Sequence, residues 1–282
     1  MFESIGRSIA LARTSWDILM QDKKLLAFPI LSGILSILVL LTFILPLIAT
    51  GSFMGHVPGG QFAYYAILFA FYLVSYFVVI FFNTALISCV NARLQGRDMS
   101  VTEGLSASVK HLPSIFAWAL VSATVGLILH LLHERSGWIG QIIVSLLGGA
   151  WGLITFFVVP ILVLEDKGVV DSVKESVSLI RKTWGESIIG SGGIAIIFVL
   201  IGVVAFLGVL ATMLLGNVVI FGLALAAFLI LVVILAVVAA AMQGIFITAL
   251  YTYARTGNVP KAFDRELIAN AFVPKPGSPG TI

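Results

Sequence analysis

PILVLEDKGVVDSVKESVSLIRKTWGES, residues 160–187, holds the architecture of the chain in miniature. An apolar run ends at Val163 and Leu164, and a charged turn, Glu165-Asp166-Lys167-Gly168, follows at once. Val169, Val173, Val177, Ile180 and Trp184 then recur at spacings of three and four, the period of one helix face. Lys174, Glu175, Ser178, Arg181 and Lys182 take the opposite face. Ser172 and Glu175 have capping-box spacing, in which each side chain satisfies a backbone N–H at the helix start. The pattern predicts a helix lying on a membrane surface between two spans.

Composition supports a membrane setting. The chain has 282 residues, 60% hydrophobic and 10% charged, against about 25% charged in soluble domains. Its mean hydropathy is +1.14. No polar stretch is long enough to build a separate soluble core, so the expectation is an all-α polytopic membrane protein. The single cysteine, Cys89, excludes an intramolecular disulfide and a cysteine metal cluster, and its apolar setting suits a small buried hydrophobe. The pI of about 9.1 reflects basic residues flanking spans rather than a nucleic-acid-binding face. Met1–Lys24 has acids within an amphipathic pattern, so a cleavable signal is not expected there.

Working outward, six spans are expected at about 25–49, 62–90, 114–132, 138–164, 188–215 and 218–253, each long enough for a hydrocarbon core of about 30 Å. Surface helices are expected at about 2–20, 100–112, 169–184 and 260–272, all within one transmembrane domain over 1–272. Residues 273–282, rich in Pro and Gly, read as a disordered tail.

An internal repeat is visible. Ser8, Leu11, Arg13 and Trp16 recur as Ser176, Leu179, Arg181 and Trp184, and the apolar face 5, 9, 12, 16 parallels 173, 177, 180, 184. Ser100 and Glu103 align with Ser172 and Glu175. Thr84-Ala85-Leu86 and Arg93 near the end of the second span parallel Thr248-Ala249-Leu250 and Arg255 near the end of the sixth. These matches predict three copies of surface helix, span, span, near 1–97, 98–166 and 167–257. The plain alternative is that amphipathic helices preceding spans look alike. Of the lysines and arginines, only Arg135 falls in a loop on the far side of this topology, which puts both termini and the surface helices in the cytoplasm of a cell inner membrane.

Chemistry-bearing residues are sparse. No Asp, Glu, Lys or Arg stands mid-span, which argues against a carrier coupled through a buried carboxylate. His130, His133 and Glu134, with His56 on the same side, form no metalloprotease motif and read as interfacial residues, with weak metal binding as the alternative. Asn83, Thr84, Ser88 and Asn91 in the second span, and Gln243 and Thr248 in the sixth, are expected to bridge helices, or else to line a cytoplasmic-facing cavity. Gly148 and Gly152, and the step Ser187, Ser191, Ala195, are expected to pack closely within the monomer, with a homo-oligomer seam as the alternative. No catalytic set, cofactor site or metal site is expected.

One further pattern bears on identity. Ser15-Trp16-Asp17-Ile18-Leu19 with Asp22-Lys23-Lys24-Leu25-Leu26-Ala27-Phe28-Pro29, then Phe82-Asn83-Thr84-Ala85-Leu86, Trp118-Ala119-Leu120, Thr155-Phe156-Phe157-Val158-Val159-Pro160 and Arg181-Lys182-Thr183-Trp184-Gly185-Glu186 occur in order. Together they resemble a family of prokaryotic six-span membrane proteins known only as a domain of unknown function. The resemblance implies a six-helix inner-membrane protein and assigns no activity or site residues. The functional expectation is a non-enzymatic protein that organises or senses the bilayer, or binds a protein partner, through its surface helices, with membrane lipids as its first partners. The alternative is a transporter or channel for an uncharged or amphiphilic solute, which requires a cavity near Asn83, Asn91 and Gln243.

Overall fold

The computed structural model describes residues 2–49, 60–184, 193–214 and 216–257; side chains at 2–11, 182–184 and 193–197 are not described. The expected helix at 260–272 and the tail lie outside these residues. Ten α-helices follow in order: α1 Phe2–Gln21, α2 Ala27–Ala49 after a short 3-10 turn, α3 Gly60–Leu94, α4 Val101–Lys110, α5 Leu112–Arg135, α6 Trp138–Ile154, α7 Val158–Leu164, α8 Val169–Trp184, α9 Gly193–Met213 and α10 Val218–Thr256. Among the described residues there is no strand.

Among the described residues, five segments are long and apolar enough to cross a membrane: Lys23–Ala49, Gly60–Leu94, Leu112–Arg135, Trp138–Leu164 and Val218–Thr256. Large apolar side chains on α2, α6, α9 and α10 are exposed along much of these helices, among them Ile34, Leu38, Ile143, Leu146, Val204 and Leu229. Such a surface is stable only in lipid. The fifth expected span corresponds to α9, whose long apolar part runs from Phe198 to Met213; residues 188–192 lie outside the described range.

Packing is uneven along the bundle axis. α3 and α10 finish at one end, and there the core is dense: Phe28, Ala85, Leu86, Val90, Ile161, Ile245, Ala249 and Leu250 are almost fully buried. We call this the closed end. At the other end the helices present mostly exposed apolar residues.

The fourth span is not one continuous helix, as the sequence reading expected. It breaks at Thr155–Phe157 between α6 and α7. Pro160 supplies the cause. It has no N–H for the carbonyl four residues back, and its ring clashes there. Thr155 Oγ1 donates to the Trp151 carbonyl at 2.8 Å, which helps to terminate α6. Ser176 of α8 seals the break: its hydroxyl donates to the Ile154 carbonyl at 2.6 Å and accepts from the Phe157 N–H at 3.2 Å.

The three short helices α1, α4 and α8 occur where expected, with the packed faces turned from the predicted ones: Ala12 and Ile180 are buried as expected, whereas Ile5, Ile9 and Trp184 lie outside the described side chains. On α8 the buried line is Ser172, Ser176, Leu179 and Ile180, with Val169, Val173 and Val177 half-buried at its flank. On α4 it is Gly104 and Ser108, while Val109 is exposed. On α1 it is Ala12, Ser15, Ile18 and Leu19, while Trp16 is exposed. Small and hydroxyl residues let these helices approach the spans closely. A Cβ added to Gly104 would lie 2.6 Å from Cys89 Sγ and 3.2 Å from the Ala85 carbonyl. One turn on, the Ser108 hydroxyl donates to the Phe81 carbonyl at 2.8 Å. α4 therefore folds back along α3 rather than lying free on a surface. α8 packs likewise on α7 and α6, and α1 on α10 and α9.

Two further expectations are corrected. The Ser100–Glu103 capping box forms, but the one at Ser172–Glu175 does not. Ser172 lies inside α8, and Glu175 instead meets Lys167 and Arg255, charged partners stronger than a backbone N–H. The glycines of α6 do not pack closely within the monomer. A Cβ on Gly152 would meet nothing within 4 Å, and one on Gly148 only Leu129 at 3.8 Å. Close approach occurs instead at Gly104 and at Gly244, where an added Cβ would lie 2.4 Å from Leu86 Cδ2. Ser187 and Ser191 lie outside the described residues, as does the Ala195 side chain.

Candidate functional site

Between α2, α3, α7 and α10 lies a cavity of about 620 Å³. α2 contributes Pro29, Ser32, Gly33, Ser36 and Ile37; α3 contributes Val79, Phe82, Asn83 and Ile87. Phe156, Val159 and Pro160 enter from the break before α7 and its first turn, and α10 supplies a line from Val233 to Ile247 that includes Gln243. The helix break thus helps to shape the chamber.

Asn83 and Gln243 are its chemical centre. Each is exposed although its neighbours, Phe82 and Thr84 or Met242 and Gly244, are buried. The exposure is to the cavity they line. No side chain or backbone group among the described residues hydrogen-bonds either amide. In hydrocarbon an unpaired amide costs several kcal/mol, so both groups are satisfied only where water or another polar group enters the cavity. The two amides share a level. Gln243 adjoins Gly244, which faces Leu86, and Asn83 stands three residues from Leu86 on the neighbouring helix. Ser32 lies one turn beyond Phe28, whose ring reaches the Gly104–Ala85 contact, and so joins the same level.

Of the polar residues expected to bridge helices, none does so by a side-chain hydrogen bond. Ser88 and Thr248 donate to carbonyls of their own helices, at Thr84 and Gly244. The Thr84 hydroxyl is buried without a partner. Asn91 lies off the cavity and accepts from Gln95 at 3.3 Å. Phe156 and Pro160 were missed as lining residues; the proline was the available signal.

At the closed end a second cluster joins three elements. The Glu165 carboxylate pairs with Lys167 at 2.7 Å and Arg255 at 3.0 Å, and accepts a hydrogen bond from Tyr251. Glu175 of α8 pairs with the same Lys167 and with Arg255 at 2.5 Å. Burial pushes the Glu165 carboxyl upward, but the hydrogen bonds from Lys167 and Tyr251 and the charge of Arg255 outweigh it and hold it below its ordinary value of 4.5. Stability from this group is fully present above about pH 4.5 and is lost as pH falls through the lower folded value. Hydrogen bonds to Glu165 and Glu175 raise Lys167 above 10.5, so its contribution is present below that pH and lost above it. The cluster's contribution to thermal stability should therefore be flat between about pH 5 and 10 and fall on acidification. Glu165→Gln should cost about 1–2 kcal/mol at pH 7, allowing for the half-exposed Arg255, and should reduce the acid limb. An unchanged acid limb would count against this cluster as its source.

Among the described residues the histidines form no centre. His130 Nε2 lies 3.3 Å from Glu134 Oε1 one turn on, His133 is exposed, and His56 is outside the described residues. Among the described residues, no three of His, Cys, Asp and Glu are grouped to hold a metal.

Exposed apolar helices, a dense closed end and an amide-lined chamber define an all-α integral membrane protein. The chain belongs to a family of unknown function, DUF6159, whose family model matches residues 62–261. The match begins in α3, so α1 and α2 lie outside it. No functionally curated protein matches the chain.

Proposed function

We propose that this is a non-enzymatic six-span protein that binds an uncharged or amphiphilic molecule in the chamber between α2, α3, α7 and α10, for storage or passage within the membrane. The carrying observation is the pair of unpaired amides, Asn83 and Gln243, facing a cavity in the usual ligand-pocket range of about 300–1,000 Å³. This places the binding reading ahead of one based on the surface helices. α1, α4 and α8 each give one face to packing on the bundle, which leaves only the other face for lipid or a protein partner.

The sixth span in this reading is α9, which at 21 residues and about 1.5 Å per residue reaches about 31 Å. The three-copy arrangement is supported by how the short helices dock. α4 packs on α3, α8 on α7 and α1 on α10, each on the last helix of the preceding copy in a cycle. Gly104 and Ser176, equivalent in the alignment through Ser100 and Ser172, both make the closest approach to a span. The environments of Trp16 and Trp184 do not enter this comparison, because the Trp184 side chain is outside the described residues. The closed end is the cytoplasmic face of an inner membrane in this reading, because Lys24, Arg93, Lys167 and Arg255 gather there.

The test is a photoreactive benzoylphenylalanine at position 37, beside the chamber, against one at position 204 on exposed α9. After irradiation in cells and intact-mass analysis of the full chain, position 37 should give a discrete small-molecule adduct. Position 204 should give only the spread of bulk phospholipids. The same adduct masses at both positions would overturn the reading.

A further inference from the structure

We propose that the occupant is an uncharged glycerolipid, a mono- or diacylglycerol, which enters from the bilayer between α2 and α10. This rests on the reading of the chamber as a binding site. Four observations carry it.

The first is charge. The lining contains no Asp, Glu, Lys, Arg or His, so nothing in it neutralises a phosphate or an ammonium. Carboxamides and serine hydroxyls, each both donor and acceptor, match hydroxyl and ester groups. The second is access. Beyond the end of the lining at Ile87 and Ile247, one turn past the amides, the closed end is a dense core that includes Phe28, Leu86, Val90, Ile245 and Ala249, so a solute dissolved on that side meets packed side chains. By contrast, Ile37 of α2 and Val233 of α10 line the chamber and are also more than half exposed, at 55% and 58%. The opening is therefore lateral, in the part of the bundle whose outer surface is apolar. The third is shape. Along α10 the lining runs from Val233 to Ile247, a rise of about 21 Å. Its polar belt at Gln243 and Asn83 lies toward the closed end with Ile247 one turn beyond it, and Val233, Ala236, Val237 and Ala240 line the longer apolar part on the other side. A lipid would place its glycerol end at that belt with its chain between α2 and α10. The fourth is room at the wall. A Cβ on Gly33 would meet nothing within 4 Å, so the α2 side of the chamber is open where the head would pass.

The experiment uses the full chain in phosphatidylcholine vesicles. Three photoactivatable probes are compared: a dioleoylglycerol analogue with a diazirine in its chain, a phosphatidylglycerol analogue with the same chains, and a water-soluble uncharged diazirine alcohol. The expected result is labelling of α2, α3 and α10 peptides by the dioleoylglycerol probe, at least five-fold above the phosphatidylglycerol probe. Labelling should fall at least five-fold in Gly33→Trp, which fills open space. It should fall similarly in the Asn83→Leu/Gln243→Leu pair, which keeps the apolar walls and removes the amides. Wild-type melting of both variants is the check on folding. Equal labelling by the charged lipid, or labelling indifferent to both variants, overturns the proposal. Labelling by the alcohol alone overturns the lipid assignment but leaves the chamber as a binding site. No labelling by any probe overturns both.

Discussion

Ser176→Ala is expected to destabilise the bundle by roughly 2–5 kcal/mol, because one hydroxyl satisfies two backbone groups at a helix break. The Ile154 carbonyl and Phe157 N–H lie where α6 stops and α7 starts, Ile154 partly exposed and Phe157 buried, and each would lose this partner in a low-dielectric setting. Losing a hydrogen bond of this kind at a backbone group costs about 1–3 kcal/mol. Thermal unfolding in detergent measures the loss. Ser178→Ala, an exposed change on the same helix, is the control and should fall within about 0.5 kcal/mol of wild type. Equal melting of the two variants would show that Ser176 does not hold the break. A second arm tests the cause. Pro160→Ala permits α6 and α7 to join, so Ser176→Ala should cost less in that background.

Gly104→Val should be the most disruptive substitution on the short helices. Even the first carbon of a side chain would stand 2.6 Å from Cys89 Sγ and 2.8 Å from Phe28 Cζ. Both residues are buried, at 4% and 1% exposure, so neither can yield without disturbing the closed end. Gly104→Ala should cost about 1–3 kcal/mol by overpacking, and valine more. Cys89→Ala removes the nearer obstacle and should recover part of the loss in Gly104→Ala while leaving the Phe28 contact. If Gly104→Val melts like wild type, α4 is not seated against α3 as described.

Much of the fold was legible because lipid imposes a simple rule. Runs of about twenty apolar residues cross, and charged turns such as Glu165–Gly168 end them. That rule located five of the long segments and the three short helices to within a few residues. It did not locate the break in the fourth span, since hydropathy does not sense a missing N–H; Pro160 alone announced it. It also misjudged which faces are packed. Hydrophobic periodicity selects valines and tryptophans, whereas close helix approach in lipid selects serine, glycine and alanine. Ser172 therefore entered the sequence reading as a cap and Ser176 as a repeat match, while Gly104 and Ser108 did not enter it.

The candidate site was half visible. Asn83 and Gln243 stood out as polar residues in apolar runs, but a single chain pattern cannot say whether such a residue bridges helices or faces a void. That depends on which helices meet, and α2, α3, α7 and α10 come from all three thirds of the chain. Sequence alone settled that this is a helical membrane protein with its charges gathered at the ends of its spans, because that follows from transfer free energies residue by residue. Only the tertiary structure could place two amides at one level of a shared chamber and close one end with a dense plug, because both depend on contacts between segments up to some two hundred residues apart.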